Sequence, residues 1–336
     1  MLCCDYKILA KILSKRIQTV IHKVISPEEF CVPGRSINTC NTLIRDIVYY
    51  CNEKRISGAI LNLDWSKAFD RVDIEFVLKI LDKLGFCSKI ISLVKMLYRN
   101  IESCCIINGY ISKSFCVERG VRQGCPLSMF LYAIFQEPLY LAIKKNSQIG
   151  CLPIPNNKIV KILGYADDSN IFVASDNDIL QIYRIVSNFE VATECLLNKS
   201  KTKIFGLGPR SGRTTWPLSW LIGYTDSFKT LGIVISNDYE MAVDSSWTNI
   251  LCKIKNTLSS FLSRRLTLHQ KAIIVNSLVF SKAWYTSHIY PLPVKYAKLI
   301  SKEVFFYIWG KKCEFIKRDT LTLPKLEGGI GIISPL

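Results

Sequence analysis

The chain has 336 residues, 49% of them hydrophobic, with 44 Lys and Arg against 27 Asp and Glu, a formal net charge of +17. Its mean hydropathy of +0.21 excludes a disordered chain, and no apolar run reaches the roughly 18 residues of a membrane-spanning helix. Length suggests two or three compact units, and the basic excess calls for a polyanion such as nucleic acid, a merely solvated surface or anionic lipid being the other readings.

The N-terminal MLCCDYKILAKILSKRI mixes charge throughout and has no signal-peptide core. Over residues 5–24, Ile8, Leu9, Ile12, Leu13, Ile17, Val20, Ile21 and Val24 recur at helical spacing, with Lys7, Lys11, Lys15 and Arg16 on the other face. SPEEFCVPGRSIN (26–38) is a loop, and 39–55 is helical again. Residues 59–63 form a buried strand, apolar but for Asn62, that ends at Asp64. A helix over 73–84 is closed by Gly85, and short strands near 104–107 and 114–117 flank an Asn108-Gly109 turn. GVRQGCPLS (120–128) leads into a helix with Ser128 as its N-cap, which Pro138 bends. LGYADDSNIF (163–172) reads as two buried strands around a tight acidic turn, followed by a helix over 177–195 and a strand near 203–207. A turn and strand at 227–236 precede a helical, basic region from Trp247 onward, with Ile250, Ile254, Leu258 and Phe261 on one stripe. Between Leu251 and Arg318 stand thirteen Lys and Arg against Glu303 and Glu314. No internal repeat is present, and the order of elements is α+β followed by an all-helical region.

The fourteen cysteines are scattered without a C-x-x-C pair, and His22, His269 and His288 lie far apart. A zinc site is therefore not expected, and reduced thiols in an intracellular protein are. Asp167 and Asp168 stand side by side between apolar runs, where like charges repel and desolvation is costly, so a cation is expected to hold them. Ordinary turn chemistry is the competing reading. If the strand ending at Asp64 neighbours the acidic hairpin, three carboxylates meet at one sheet edge. That is the donor set for two Mg2+ ions about 3.5–4 Å apart performing in-line phosphoryl transfer. Asp70 and Asp73 compete for this role; Asp70 is read as structural or as a helix start, since it lies past the strand end.

AILNLDWSKAFDRVD, RGVRQGCPLS, LGYADDSNIF, LNKSKTKI and FKTLGI occur in the order of the palm motifs of reverse transcriptases. With DYKILAKILSKRI and VPGRSIN they resemble the enzymes of non-LTR retrotransposons (long interspersed elements), clearly to about residue 236 and weakly to the GGIGI near the end. The resemblance implies a right-hand polymerase fold: partial fingers over 1–56, a palm with fingers insertions over 57–240, and a basic helical thumb over 241–336. It implies RNA-directed DNA polymerisation with two Mg2+ ions (Mn2+ an alternative), an RNA template, a DNA primer and deoxynucleoside triphosphates. No membrane partner is expected, nucleus and cytoplasm are the expected location, and oligomeric state is left open.

By the same resemblance Asp64 and Asp167 are the principal metal ligands, with Asp168 supporting them. Phe69 is the steric gate against a 2′-hydroxyl, a core aromatic being the alternative. Arg122, Gln123 and Gly124 lie in the loop against the incoming nucleotide and template base. Lys201 stands near the pyrophosphate leaving group, with Lys199 and Lys203 as alternatives and a solvated lysine run as the bland reading. Leu231 and Gly232 fall at the primer-grip turn, and Lys253, Arg264 and Arg265 represent the basic thumb that grips duplex phosphates. Trp247, Trp284 and Trp309 are read as core residues, base stacking being the alternative.

Three departures accompany the match. The family's Arg-Pro-Ile-Ser-type segment before DYKI has no counterpart, the loop before VPGR reads SPEEF where the family tends to Gln, and Met129 stands where Pro is usual. The chain is accordingly expected to be a fragment of a larger element protein. The competing functions are an impaired relic that only binds nucleic acid through its basic thumb, and a two-metal nuclease or nucleotide cyclase.

Overall fold

A computed structural model describes residues 3–155, 159–216, 223–310 and 313–334. The chain divides into two compact units, Met1–Leu231 and Gly232–Leu336.

In the first unit the expected N-terminal helix is two, α1 (Cys4–Gln18) and α2 (Ile21–Val24). The Thr19 hydroxyl donates to the Arg16 carbonyl at 2.8 Å, competing with the helical ladder at the break. α3 (Ile37–Glu53) is N-capped by Ser36, and β1 (Gly58–Leu63) leads to a 3-10 turn over Ala68–Arg71. α4 (Ile74–Lys83) starts at Asp73, whose carboxylate accepts the amides of Glu75 and Phe76. The helix-start role expected of Asp70 thus belongs to Asp73.

α5 (Ser88–Tyr98) is an element the sequence reading lacks, although Ile90, Ile91, Val94 and Leu97 carry helical spacing. An exposed arm follows. Here β2 (Glu102–Ser103) pairs with β5 (Phe115–Cys116), and β3 (Ile106–Ile107) pairs with β4 (Tyr110–Ile111). Asn108 (φ 49°) and Gly109 (φ 86°) form the expected turn, but the pairing is broken into two-residue pieces rather than the two longer strands expected.

α6 (Ser128–Lys145) runs on through Pro138, and its N-cap position is Leu127, without a side-chain cap. Ser128 does not cap: its hydroxyl donates to the Arg122 carbonyl at 2.7 Å, fastening the preceding loop. β6 (Ile162–Tyr165), β7 (Asp168–Val173), α7 (Asp176–Thr193), β8 (Lys203–Leu207), β9 (Gly223–Tyr224) and β10 (Ser227–Thr230) complete the unit. The sheet order is β6-β7-β1-β8-β9, antiparallel except for β8 with β9. β1 is central and buried at all six positions, which explains its nearly unbroken apolar run. Ala59, Leu61 and Leu63 point into the core that includes Leu81, Leu131, Phe135 and Ile182, and Ile60 alternates to the other face.

The second unit holds β11 (Ile233–Ser236), then α8 (Tyr239–Leu262), α9 (Leu268–Ile274), α10 (Phe280–Ser287), α11 (Val294–Trp309) and α12 (Arg318–Thr322). Asp238 caps α8 through the Met241 amide, and Thr267 with Gln270 forms a capping box on α9. Its own core gathers Trp247, Ile254, Val279, Phe280, Ile300 and Val304. Trp247 is wholly buried and donates to the Pro291 carbonyl at 3.2 Å, so it is a core residue rather than a stacking platform. Among the described residues no helix is long and apolar enough to cross a membrane.

Candidate active site

Strand register decides where the acidic residues meet. β1 runs antiparallel to β7 with Leu63 opposite Ser169, so Asp64, next along the chain, leaves the strand beside Asp168. β6 and β7 pair Tyr165 with Asp168 across Ala166 and Asp167. The Asp64 amide donates to Thr202 Oγ1 at 3.2 Å, and its carbonyl accepts the Asn198 amide at 2.7 Å. These two bonds tie the LNKSKTK turn, and with it Lys201, to the end of β1.

A cavity of about 380 Å3 results, lined by Asp64, Phe69, Asp70, Gln123, Asp167, Asn198 and Lys201 among others. Asp167 is exposed and Asp168 half-buried. The Asp168 carboxyl is pushed up to about 6, first by burial and then by the charges of Asp167 and Asp64; the Leu231 amide, donating to Oδ2 at 3.3 Å, opposes this. Three carboxylates therefore crowd one sheet edge, and Asp168 is turned partly toward the backbone. Of the three candidate lysines only Lys201 lines the cavity; Lys203 is on β8 beside Gly223, and Lys199 is exposed.

Arg122, with Gln123 and Asp70, lines a second cavity of about 490 Å3, and its guanidinium lies 4.6 Å from the ring centre of Tyr6, the tyrosine of DYKI. Gly124 (φ 79°) is exposed in that loop and lines neither cavity. Leu231 (φ 48°) touches Asp168 through its amide as described. Gly232 (φ 85°) opens the second unit, where Lys253 on α8 and Arg264 and Arg265 just past it are exposed.

Two supports under the site are absent from the sequence reading. Phe69 stacks on Tyr132 (centroids 4.6 Å apart, 19° between planes), and the buried Tyr132 hydroxyl accepts from Gln136 Nε2 at 2.8 Å. Behind the acidic turn the buried Glu29 carboxylate accepts the amides of Cys31 (2.7 Å) and Ala166 (3.2 Å) through Oε1, and the Tyr140 hydroxyl (3.0 Å) through Oε2. A partial signal existed: Tyr132, Gln136 and Tyr140 repeat every four residues along α6, one polar line on a buried face.

Burial holds the Glu29 carboxyl above the ordinary glutamate range, its amide partners opposing. The folded chain thus binds this proton more tightly than the unfolded one. The stabilisation is full below the unfolded value of about 4.3 and is lost as pH rises through the raised folded value. Glu29→Gln is therefore expected to lose less thermal midpoint between about pH 5 and about pH 8 than the native chain; an equal or steeper loss would contradict this. Gly164, on β6, has no room for a side chain, because a Cβ would overlap the Tyr140 hydroxyl. Gly164→Ala is expected to lower stability by about 1–3 kcal/mol, read as a lower urea midpoint; an unchanged midpoint would show that Tyr140 yields.

A sequence profile described as Reverse transcriptase (RNA-dependent DNA polymerase) matches residues 1–235. The chain belongs to the reverse transcriptase family. Two of the proteins that this reverse transcriptase resembles come from transposable elements. It is 30% identical over 345 residues to the Transposon TX1 uncharacterized 149 kDa protein of Xenopus laevis, covering 99% of this chain and 26% of that protein. It is 26% identical over 210 residues to a Pol polyprotein from type-1 retrotransposable element R2 of Popillia japonica, covering 61% of this chain and 29% of that protein. The chain thus spans between a quarter and a third of the length of these two relatives. Among solved structures, telomerase from Candida tropicalis in complex with a fragment of telomeric RNA aligns with TM-score 0.48 at 14% identity, over 90% of this chain and 51% of that one.

Reverse transcriptases have a right-hand polymerase fold and generally use divalent metal ions, and the first unit of this chain supplies a five-stranded sheet with flanking helices. The donors at this sheet edge fit such an ion. Asp64 and Asp167 offer oxygen atoms only, opening on a cavity, which suits a hard cation that keeps water and substrate phosphates as its other ligands. Among the described residues no three or more His, Cys, Asp or Glu side chains close into a ready-made metal cage.

Proposed function

We propose that this chain joins a primer 3′-hydroxyl to the α-phosphate of a deoxynucleoside triphosphate opposite an RNA template, releasing pyrophosphate. The observation that carries this reading is the convergence of Asp64, Asp167, Phe69, Gln123 and Lys201 on one cavity from separate parts of the first unit. Two Mg2+ ions, or Mn2+, held by Asp64 and Asp167 with support from Asp168, would activate the attacking hydroxyl and neutralise charge on the leaving oxygen. Lys201 places a cationic donor where the pyrophosphate leaves and can supply its proton. Phe69 forms the wall against which a 2′-hydroxyl would collide. Gln123, with Arg122 and Gly124, borders the nucleotide and the template base. Leu231 and Gly232 form the primer-side turn, and Lys253, Arg264 and Arg265 contact duplex phosphates.

In domain terms, residues 1–56 are read as partial fingers, 57–240 as palm and 241–336 as thumb. The test is extension of oligo(dT) on poly(rA) by the purified chain with deoxythymidine triphosphate and Mg2+. Extension that vanishes on chelation of the metal supports the reading. Salt-sensitive duplex binding without any extension would overturn it in favour of a binding-only protein, and cleavage of added DNA without nucleotides would point to a nuclease.

A further inference from the structure

The loop Ser26–Arg35 is fastened at its first residue and again at Glu28–Phe30. At one end Glu137 on α6 accepts the Ser26 amide at 2.9 Å and the Ser26 hydroxyl at 2.7 Å. At Glu28–Phe30 the loop runs along the acidic hairpin: the Phe30 amide donates to the Gly164 carbonyl at 2.8 Å, and the Gly164 amide to the Glu28 carbonyl at 3.0 Å. Arg35 braces the loop itself, donating to the carbonyls of Ser26 (2.6 Å) and Glu29 (2.5 Å). The Glu29 side chain passes from this loop to the turn, and only 1% of it is exposed.

Its target is the residue before Asp167. Ala166 is buried and left-handed (φ 54°), a conformation that an L-residue with a Cβ holds only when its surroundings impose it. The Ala166 amide, directed inward, would lack an acceptor without Glu29 Oε1, and a buried unpaired amide is costly. Tyr140 approaches the same carboxylate from α6 and lies against Gly164, so carboxylate, tyrosine and turn form one packed unit.

We propose that Glu29 is a positioning residue for nucleotidyl transfer. It pins the Ala166 amide and so sets where Asp167 presents its carboxylate to the cavity. Its part in catalysis rests on the polymerase reading above; its hold on the turn does not. Glu29 touches no reacting atom. It works by keeping the peptide on the N-terminal side of Asp167 in a conformation that the turn would otherwise leave, and small misplacements at such a centre are expensive in rate.

Glu29→Ala, Glu29→Gln and Glu137→Ala, made in the full chain, test this. Hydrogen exchange of the segment 163–168 is measured together with single-nucleotide incorporation, separated into kcat and KM. Glu29→Ala is expected to speed exchange of the segment by about tenfold or more. It should lower kcat by on the order of tenfold to a hundredfold while KM for the nucleotide moves by less than about threefold. Glu29→Gln should restore both readouts, because its Oε1 still accepts the two amides and its Nε2 can donate to the Tyr140 hydroxyl. Glu137→Ala removes the anchor at Ser26 and leaves the bonds of Glu29 to Cys31, Ala166 and Tyr140 in place. It should lower the thermal midpoint yet leave exchange at 163–168 and kcat near the native values.

The proposal is overturned if Glu29→Ala leaves exchange and kcat unchanged, or if Glu137→Ala reproduces both effects. Absence of primer extension by the native chain would tell against the polymerase reading alone, since exchange of the turn is read without catalysis.

Discussion

Asp64→Asn and Asp167→Asn are each expected to reduce primer extension about a thousandfold, on the order of 4 kcal/mol of transition-state stabilisation. Asn is nearly isosteric and keeps one oxygen, so what it removes is the negative charge. That charge is what would hold a hard cation against the phosphates of the incoming nucleotide. Stability should respond in the opposite sense. Asp167 and Asp64 both push the Asp168 carboxyl upward, so neutralising either relieves repulsion at a half-buried edge. The thermal midpoint without added metal should therefore stay level or rise while activity collapses. Asp168→Asn should cost less activity, because that side chain is partly engaged with the Leu231 amide. Primer extension and thermal melting on the same preparations check all three. Extension within threefold of native by Asp64→Asn would remove the carboxylate pair from the chemistry.

Sugar selection should change most at Phe69. Phe69→Ala is expected to raise incorporation of ribonucleotides relative to deoxyribonucleotides by roughly 10–200-fold, the range that a pocket wall of this size supplies by steric exclusion. The ring is held by its stack on Tyr132, which is anchored in turn by Gln136. Tyr132→Phe keeps the stack and should leave selection near native. Tyr132→Leu removes it and should relax selection by up to about tenfold, the equivalent of an aromatic pair worth roughly 0.5–1.5 kcal/mol. Competing ribo- and deoxyribonucleotides in one extension assay gives the ratio directly. No change in that ratio for Phe69→Ala would make Phe69 a core aromatic, which its packing against the buried core of α6 would then explain.

Much of the scaffold could be read without coordinates. The strand read at 59–63 is legible because a central strand is apolar on both faces, and the acidic hairpin because its flanking runs are apolar and its turn polar. α5 was missed although its spacing was present. Hydrophobic periodicity joins the two N-terminal helices into one, because a side-chain bond to the backbone at Thr19 leaves no mark on it. Ser128 looked like a cap because Ser commonly caps; here its hydroxyl is spent on the loop that carries Arg122.

The chemistry at stake was determined by the sequence itself: which side chains can hold a cation, donate to a leaving group or wall off a sugar, and which strands and helices carry them. Their meeting was not. Asp64 and Asp168 come side by side because β1 pairs with β7 in the register Leu63 to Ser169, and Lys201 joins them through backbone bonds between Asp64 and the Asn198–Thr202 turn. Glu29 and Tyr132 took on their roles only in three dimensions. Ala166 and Phe69 lie far along the chain from them, and the attraction that unites each pair, a buried amide seeking an acceptor or one ring seeking another, does not show in the sequence which residues will meet.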